Sequence, residues 1–149
     1  MADLTTSIQE TVVLNGSLRG STNSVVTSGI NDVFERIVTC TSSVVTTVAV
    51  FDTLPSTSAG AIDVDRTKYI RVTNLDATVE IELAVVTGAT SYTVTITPGN
   101  SHVLSRGSNI ALGEATTTPT FGTMENIRSL QIQPVTAFDV RVEVFVGVE

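Results

Sequence analysis

The chain has 149 residues, which is the size of one globular domain with a sizeable core and excludes two full domains. Threonine, valine and serine account for 62 of these residues and only 15% are charged, a composition typical of β-strands that argues against a helical bundle or a doubly wound α/β enzyme. Fifteen acidic and eight basic side chains give a net charge of −7 at neutral pH, and this disfavours a nucleic-acid partner, because phosphate binding needs a concentrated basic face.

The first part of the chain predicts one strand followed by an extended arm. In Ile8–Leu14, side chains such as Ile8, Val12 and Leu14 lie an even number of residues apart, which fits the two-residue period of a strand. Asn15–Ser28 is too small and too polar to pack a core, and long segments of this kind are often functional or intermolecular. We therefore assign residues 1–32 to an N-terminal strand and extended arm, and residues 33–149 to a β-sandwich domain within a single globular unit.

Four side chains in the arm are candidate interface residues. Apolar or arginine side chains in an otherwise polar segment are typical anchors at protein interfaces. The residues that fit this description are Leu18, Arg19, Val25 and Val26.

The rest of the chain predicts an antiparallel β-sandwich. The clearest signal is the C-terminal run, in which apolar residues at every second position indicate a strand with one buried face. Pro134 ends the preceding strand because proline cannot donate to a ladder, and Pro98-Gly99-Asn100 indicates a hairpin turn. About eight short strands without a long helical segment predict a sandwich or barrel. The predicted strands are Phe34–Cys40, Val44–Phe51, Lys68–Asn74, Val79–Val86, Ser91–Thr97, Ser101–Leu104, Asn126–Val135 and Phe138–Val148.

Two connections have signals of their own. Asn74-Leu75-Asp76 indicates a turn with Asx hydrogen bonding. Gly107–Thr123 does not alternate, and it indicates a long surface loop.

Nucleophilic catalysis has few candidate side chains in this sequence. The single cysteine, Cys40, follows an apolar run and is expected to be buried as a small hydrophobe. The single histidine, His102, is expected to be a solvated residue just past a turn. Glu80 and Glu82 fit solvent-facing positions on a strand better than a pair of glycosidase carboxylates. The sequence therefore predicts neither an enzyme nor a cofactor.

A metal site would have to be built mainly from oxygen ligands. Asp63 and Asp65 point the same way in an extended chain, which makes them the candidates for a hard cation. The segment lacks the glycine and the distal glutamate of a calcium loop, so pairing of the aspartates with Arg66 or Lys68 at the entry to a strand explains them better. We expect no metal site.

The start of the chain and its hydropathy predict a protein made in the cytoplasm that does not insert into a membrane. Met1–Thr6 lacks the basic and apolar regions of a signal peptide, and no window approaches about 18 continuous apolar residues. One cysteine cannot form an internal disulfide, which argues against a secreted disulfide scaffold.

Several stretches together share a pattern with a known group of proteins. They are the succession Lys68–Asp76, the turn Thr97–Ser101, the closing strand Phe138–Val148, and the opening Met1–Ser7, followed by Leu14–Ser17 and Arg19–Asn23. In pattern and composition, nearly the whole chain resembles the small jelly-roll virion proteins of tailed bacteriophages.

The resemblance implies a jelly-roll sandwich located in the virion, with a structural role. Head decoration or cement proteins, which bridge and stabilise major capsid subunits, match best in size and acidity. They imply the major capsid protein and further copies of this chain as partners, with a homotrimer as the first expectation. Tail, neck and fibre-associated structural proteins are alternatives. Another is a carbohydrate- or receptor-binding module, for which Tyr69, Tyr92 and Phe121 would have to converge on one aromatic patch.

Overall fold

The computed structural model describes residues 1–54, 58, 60–105 and 125–149. The predicted loop Gly107–Thr123 lies outside the described residues. The strands are β1 (Ala2–Gln9), β2 (Val12–Leu14), β3 (Ser17–Arg19), β4 (Thr22–Ile30), β5 (Asp32–Cys40), β6 (Thr46–Asp52), β7 (Ile62–Asp63), β8 (Thr67–Asn74), β9 (Ile81–Val86), β10 (Ser91–Ile96), β11 (Ser101–Leu104), β12 (Ser129–Pro134) and β13 (Val140–Val148).

Two sheets built from β5 to β13 form the layers of a sandwich. The first sheet has the strand order β10-β9-β12-β6-β7, and the second has the order β11-β8-β13-β5. All pairs in both sheets are antiparallel except β6 with β7, where Phe51 lies opposite Ile62. The predicted all-β fold with an antiparallel sandwich is confirmed.

Alternation along the strands decides which side chains lie between the two sheets. In β13 the valines at every second position, from Val140 to Val146, are completely buried, as the C-terminal pattern predicts. In β9 the same alternation buries Ile81, Leu83 and Val85. These side chains belong to one continuous hydrophobic cluster. Full burial of an aliphatic side chain of this size contributes about 1.5–3 kcal/mol, so this cluster is the main source of stability.

The turn at Pro98-Gly99-Asn100 joins the two sheets rather than two paired strands. β10 pairs with β9 in the first sheet, whereas β11 pairs with β8 in the second. The predicted hairpin is therefore wrong, although Gly99 does adopt the positive φ expected of a turn, +73°. The backbone of the turn bonds to the end of β8: Gly99 N donates to Asn74 O, and Asn74 N donates to Asn100 O, each at 3.0 Å.

Asn74 is fully buried and connects three segments of the sandwich. Its Nδ2 donates to the carbonyl oxygens of Val79 at 2.8 Å and Ile96 at 3.0 Å. Its Oδ1 accepts the backbone N–H of Asp76 at 3.0 Å, which confirms the predicted Asx turn. One side chain thus joins the end of β8 in the second sheet to the first sheet at the end of β10.

Residues 1–30 form a long β-hairpin. β1 pairs with β4, from Ala2 opposite Ile30 to Gln9 opposite Thr22, and β2 pairs with β3. The predicted single strand Ile8–Leu14 is wrong, because β1 ends at Gln9 and β2 begins at Val12. The segment predicted to be an extended arm also contains strands, because β3 pairs with β2 and β4 pairs with β1. An arm that reaches a neighbouring subunit stays a prediction.

Candidate interaction surface

The hairpin reverses at Asn15 and Gly16. Their φ angles are +51° and +77°, the left-handed values that a two-residue type I′ turn requires at both positions. An Asn-Gly pair between apolar residues is a strong hairpin signal, and it was available in the sequence. The polar residues that follow the pair led instead to the prediction of an extended arm.

The tip of the hairpin consists of β2, β3 and the turn between them. Val13 lies opposite Leu18, and Val12 lies opposite Arg19. The structure therefore places two of the predicted interface residues, Leu18 and Arg19, beside two valines that the sequence interpretation did not select.

The stem of the hairpin consists of β1 and β4. Val25 lies opposite Thr6 and Val26 opposite Thr5, so the two neighbouring valines of the predicted interface set point to opposite faces of the stem. The predicted set is thus divided between stem and tip.

The base of the hairpin packs on the outer face of the second sheet at Gly147. A Cβ atom at this position would lie 3.3 Å from Ile30 Cδ1 and 3.7 Å from Leu4 Cδ2. The absence of a side chain at Gly147 therefore leaves room for Leu4 and Ile30 to cover the sheet, and Ile30 is buried there. This contact orients the hairpin on the sandwich.

Beyond its base, the hairpin exposes seven large apolar side chains, each between 55% and 73% accessible. An isolated two-stranded hairpin is marginally stable at best in water, and clustered apolar exposure marks interaction surfaces. The hairpin therefore has the properties of a surface that is covered in an assembly. The seven residues are Ile8, Val12, Val13, Leu14, Leu18, Val25 and Val26.

The hairpin is almost uncharged compared with the rest of the chain. Residues 1–30 contain Asp3, Glu10 and Arg19 as their only charged side chains, a net charge of −1 within a chain of −7. Two copies of the chain therefore repel each other least where their hairpins meet.

The aromatic side chains of the second sheet make contacts within the chain. The rings of Tyr69 and Phe145 meet edge to face with their centroids 6.0 Å apart, and Tyr69 is buried. The Arg71 guanidinium lies 5.7 Å from the Phe145 ring centroid and forms a 2.7 Å ion pair with Glu143. Phe145 is thus half-buried beside its own neighbours.

The aromatic patch required for carbohydrate binding gains no support from its described members. Tyr69 packs on Phe145, and Tyr92 forms a hydrogen bond to His102. Phe121 lies outside the described residues.

His102 is half-buried rather than solvated, which corrects the expectation for this residue. Its Nε2 lies 3.0 Å from Tyr92 Oη, and this hydrogen bond links an edge strand of the first sheet to an edge strand of the second. His102 lies on the side of β11 that faces the core. The first sheet therefore covers it, although it follows a turn. Burial lowers the pKa of His102.

We expect the stability of the protein to fall as the pH drops below about 7, partly because of His102. The unfolded histidine, with its usual pKa near 6.5, takes up a proton before the folded one, so a falling pH lowers the free energy of the unfolded state relative to the folded state. Chemical denaturation at several pH values measures this slope for the wild type and for His102→Gln, which can keep the bond to Tyr92. The variant should lose less stability over this range, and identical slopes would contradict the assignment.

The other side chains considered for catalysis lie where the sequence predicts them. Cys40 is completely buried, as predicted, and burial raises the pKa of its thiol. Glu80 and Glu82 are exposed, in agreement with solvent-facing positions.

The two aspartates proposed for a cation lie in a local turn. Asp63 Oδ1 accepts the backbone N–H groups of Asp65 at 3.0 Å and Arg66 at 3.3 Å. Lys68, which the sequence offered as an ion-pair partner for these aspartates, pairs with Glu149 at 2.6 Å instead. Within the described ranges, no group of three or more His, Cys, Asp or Glu side chains is placed to hold a metal ion.

An open hollow of about 610 Å³ lies beside the end of β6 and the segment before β12. Two of its polar side chains are used in local contacts: Glu125 Oε2 accepts the backbone N–H of Ala89 at 2.8 Å, and Asn126 Nδ2 donates to Asp65 Oδ1 at 3.4 Å. Neither histidine nor cysteine lines it. The described residues that line the hollow therefore offer carboxylates but no imidazole or thiol.

Comparisons with known proteins gave no relatives. No protein-family model matches the sequence, no curated protein matches it significantly, and no solved structure matches the fold significantly. Nowhere in the described part of the chain is there a helix of the length and apolar character needed to cross a bilayer.

Proposed function

We propose that the chain is a non-enzymatic structural protein of a virion, a decoration or cement protein that bridges major capsid subunits. The observation that carries this proposal is the hairpin: a nearly uncharged element with seven exposed apolar side chains, attached to an acidic sandwich. In this role the hairpin supplies contact with neighbouring subunits, and the sandwich supplies a rigid body.

The order of the strands supports a jelly-roll sandwich, which we propose as the finer description of the fold. Reading β5, β6 and β8 to β13 as eight consecutive strands, one sheet has the order first, eighth, third, sixth, and the other has the order second, seventh, fourth, fifth. Two four-stranded sheets connected in this way are typical of jelly rolls, an architecture common in viral capsid and lectin domains.

The proposed mechanism is mechanical. Homo-oligomers, with three copies as the expected number, would bind the assembled shell at symmetric positions. A protein that binds the assembled state and not the separated subunits stabilises assembly by mass action. The acidic sandwich would remain outside the shell, because the negative charge of packaged DNA repels it.

The copy number of the chain in purified virions tests the proposed location. Quantitative mass spectrometry should find it at nearly the abundance of the major capsid protein. A few to a few dozen copies would replace the head role with a tail, neck or fibre role. Complete absence from virions would overturn the structural virion role altogether.

The double variant Val25→Asp/Val26→Asp tests the part of the hairpin in attachment. Both side chains are more than half exposed in the isolated chain, so we expect unchanged thermal unfolding and at least a tenfold loss of incorporation into virions. Val44→Asp/Val45→Asp is the matched control, since these adjacent valines are 52% and 55% exposed but lie outside the hairpin. Equal incorporation of both variants would contradict attachment through the hairpin, and failure of the first to fold would place its valines in the core.

A further inference from the structure

We propose that the stems of three chains join edge to edge into one closed ring of six antiparallel strands, β1 of each copy pairing with β4 of the next. This inference rests on the proposed function only in treating the hairpin as an interface. It assigns a partner, a second copy of this chain, to the stem and leaves the tip free for other contacts.

No other described strand pairs with either long edge of the stem. β1 and β4 form a sheet of two strands, so each strand is hydrogen-bonded on one side only. Unpaired N–H and C=O groups along an edge are a template for another strand, and natural proteins usually guard such edges with charge, proline or a covering element. β4 has nine residues and contains neither a charged residue nor a proline.

The long free edge of the sandwich is protected by a charged residue of a kind that β4 of the stem lacks. β5 is the outermost strand of the second sheet, and Arg36 lies opposite Val144, whose side chain is buried in the core. A charged residue at an inward position of an edge strand opposes the addition of a further strand. The contrast indicates that addition of a strand is resisted at β5 and accepted at the stem.

The two stem edges are complementary to each other. β1 has eight residues and β4 has nine, and they run in opposite directions. If copies are related by rotation about an axis along the stems, β1 of one copy and β4 of the next are antiparallel, as they are within each hairpin. Such head-to-tail contacts close into a ring, and closure removes every free edge.

Charge favours a second copy of this chain over an unrelated partner. The chain carries −7, and the stem contains Asp3 as its only charged side chain. A surface without matching positive charge offers no complementarity to a charged partner, but it lets two acidic copies approach with little repulsion.

The small side chains of the stem favour a ring of three copies. Eight strands enclose an interior just wide enough for side chains, so fewer strands need small ones. Two copies would supply four strands with no interior. Three copies supply six strands, and the middle of the stem offers mainly threonine, serine and valine on both faces.

The mass of the full chain in solution tests the ring. Light scattering after gel filtration should give about three times 15.7 kDa for the wild type. A monomer would overturn the proposal, and a dimer would replace the ring with two-fold pairing of identical edges.

Two double variants locate the contact. Val25→Lys/Val26→Lys places a cation on each face of the stem, so one lies inside the ring whichever face is inward, and we expect a monomer. Val12→Lys/Val13→Lys makes the same change in the tip, at valines of similar exposure, and should remain a trimer. Lysine makes the net charge of each chain less negative, so dissociation would come from the cations placed inside the ring and not from a larger overall charge on the copies.

The outcomes separate this inference from the proposed function. If both variants stay trimeric, or both become monomers, the stem does not carry the ring. A trimeric wild-type chain that is absent from virions would preserve the ring and overturn the virion role. A monomeric chain abundant in virions would do the reverse.

Discussion

Asn74→Ala is expected to lower the free energy of unfolding by about 3 kcal/mol, because it leaves buried carbonyl groups without a donor. In the native protein Asn74 Nδ2 donates to Val79 O and Ile96 O, and Oδ1 accepts from Asp76 N. An unsatisfied buried polar group costs about 1–3 kcal/mol, and the variant creates two of them at a completely buried position. The free energy of unfolding of a single domain is about 5–15 kcal/mol, so this loss is a large fraction of it.

Thermal and urea unfolding measure this effect, with a shift of the melting temperature by roughly 6–12 °C expected for a chain of this length. Asn100→Ala is the control, because Asn100 is an exposed asparagine in the turn whose Nδ2 donates to Thr97 Oγ1 at 2.6 Å. It should cost less than about 1 kcal/mol. Similar losses for the two variants would show that the buried bonds of Asn74 do not connect the sheets as described.

Gly20→Asn is expected to open the hairpin at the junction of stem and tip. Gly20 has a φ of +128°, and a Cβ atom there would overlap the carbonyl oxygen of Glu10. The two segments pass closely at this point, where Glu10 N donates to Ser21 O at 2.9 Å. Relieving a backbone overlap requires the strands to separate, and strain of this kind costs about 1–3 kcal/mol. Amide hydrogen exchange in the hairpin should become faster by a factor of about ten or more.

Gly16→Asn isolates the steric part of this prediction. Gly16 also has a positive φ, +77°, but no atom lies within 4 Å of the position of a Cβ. Asparagine tolerates left-handed backbone, so this substitution should leave hairpin exchange nearly unchanged. Protection in the sandwich should be the same for both variants, since neither glycine contacts it. Equal hairpin exchange rates in the Gly20→Asn and Gly16→Asn variants would contradict the close approach at Glu10.

The sequence predicted some of the exposed apolar residues of the hairpin but not others. Leu18 and Val25 stood out because they are apolar in a polar segment, and both are exposed on the hairpin. Val12 and Val13 were assigned to the predicted N-terminal strand Ile8–Leu14 and not to the interface. Apolar character is the same signal for a core and for an interface, and only the position of the hairpin outside the sandwich separates the two.

Asn74 illustrates a similar limit. Its place at the end of an alternating strand, two residues after Val72, marks an inward position. The Asx turn with Asp76 was predictable because it is local. The bond to Ile96 was not, since the partner is 22 residues away in the other sheet.

The sequence by itself determined the all-β class, the buried faces of β9 and β13, the burial of Cys40 and the positions of most strands. These properties depend on residue type and on a period of two, which are local. The tertiary structure alone decided which strands pair, that the turn at Gly99 crosses between sheets, and that the base of the hairpin packs on the outer face of the second sheet at Gly147. Pairing depends on contacts between distant residues, because an alternating strand presents the same apolar face to any partner that can cover it.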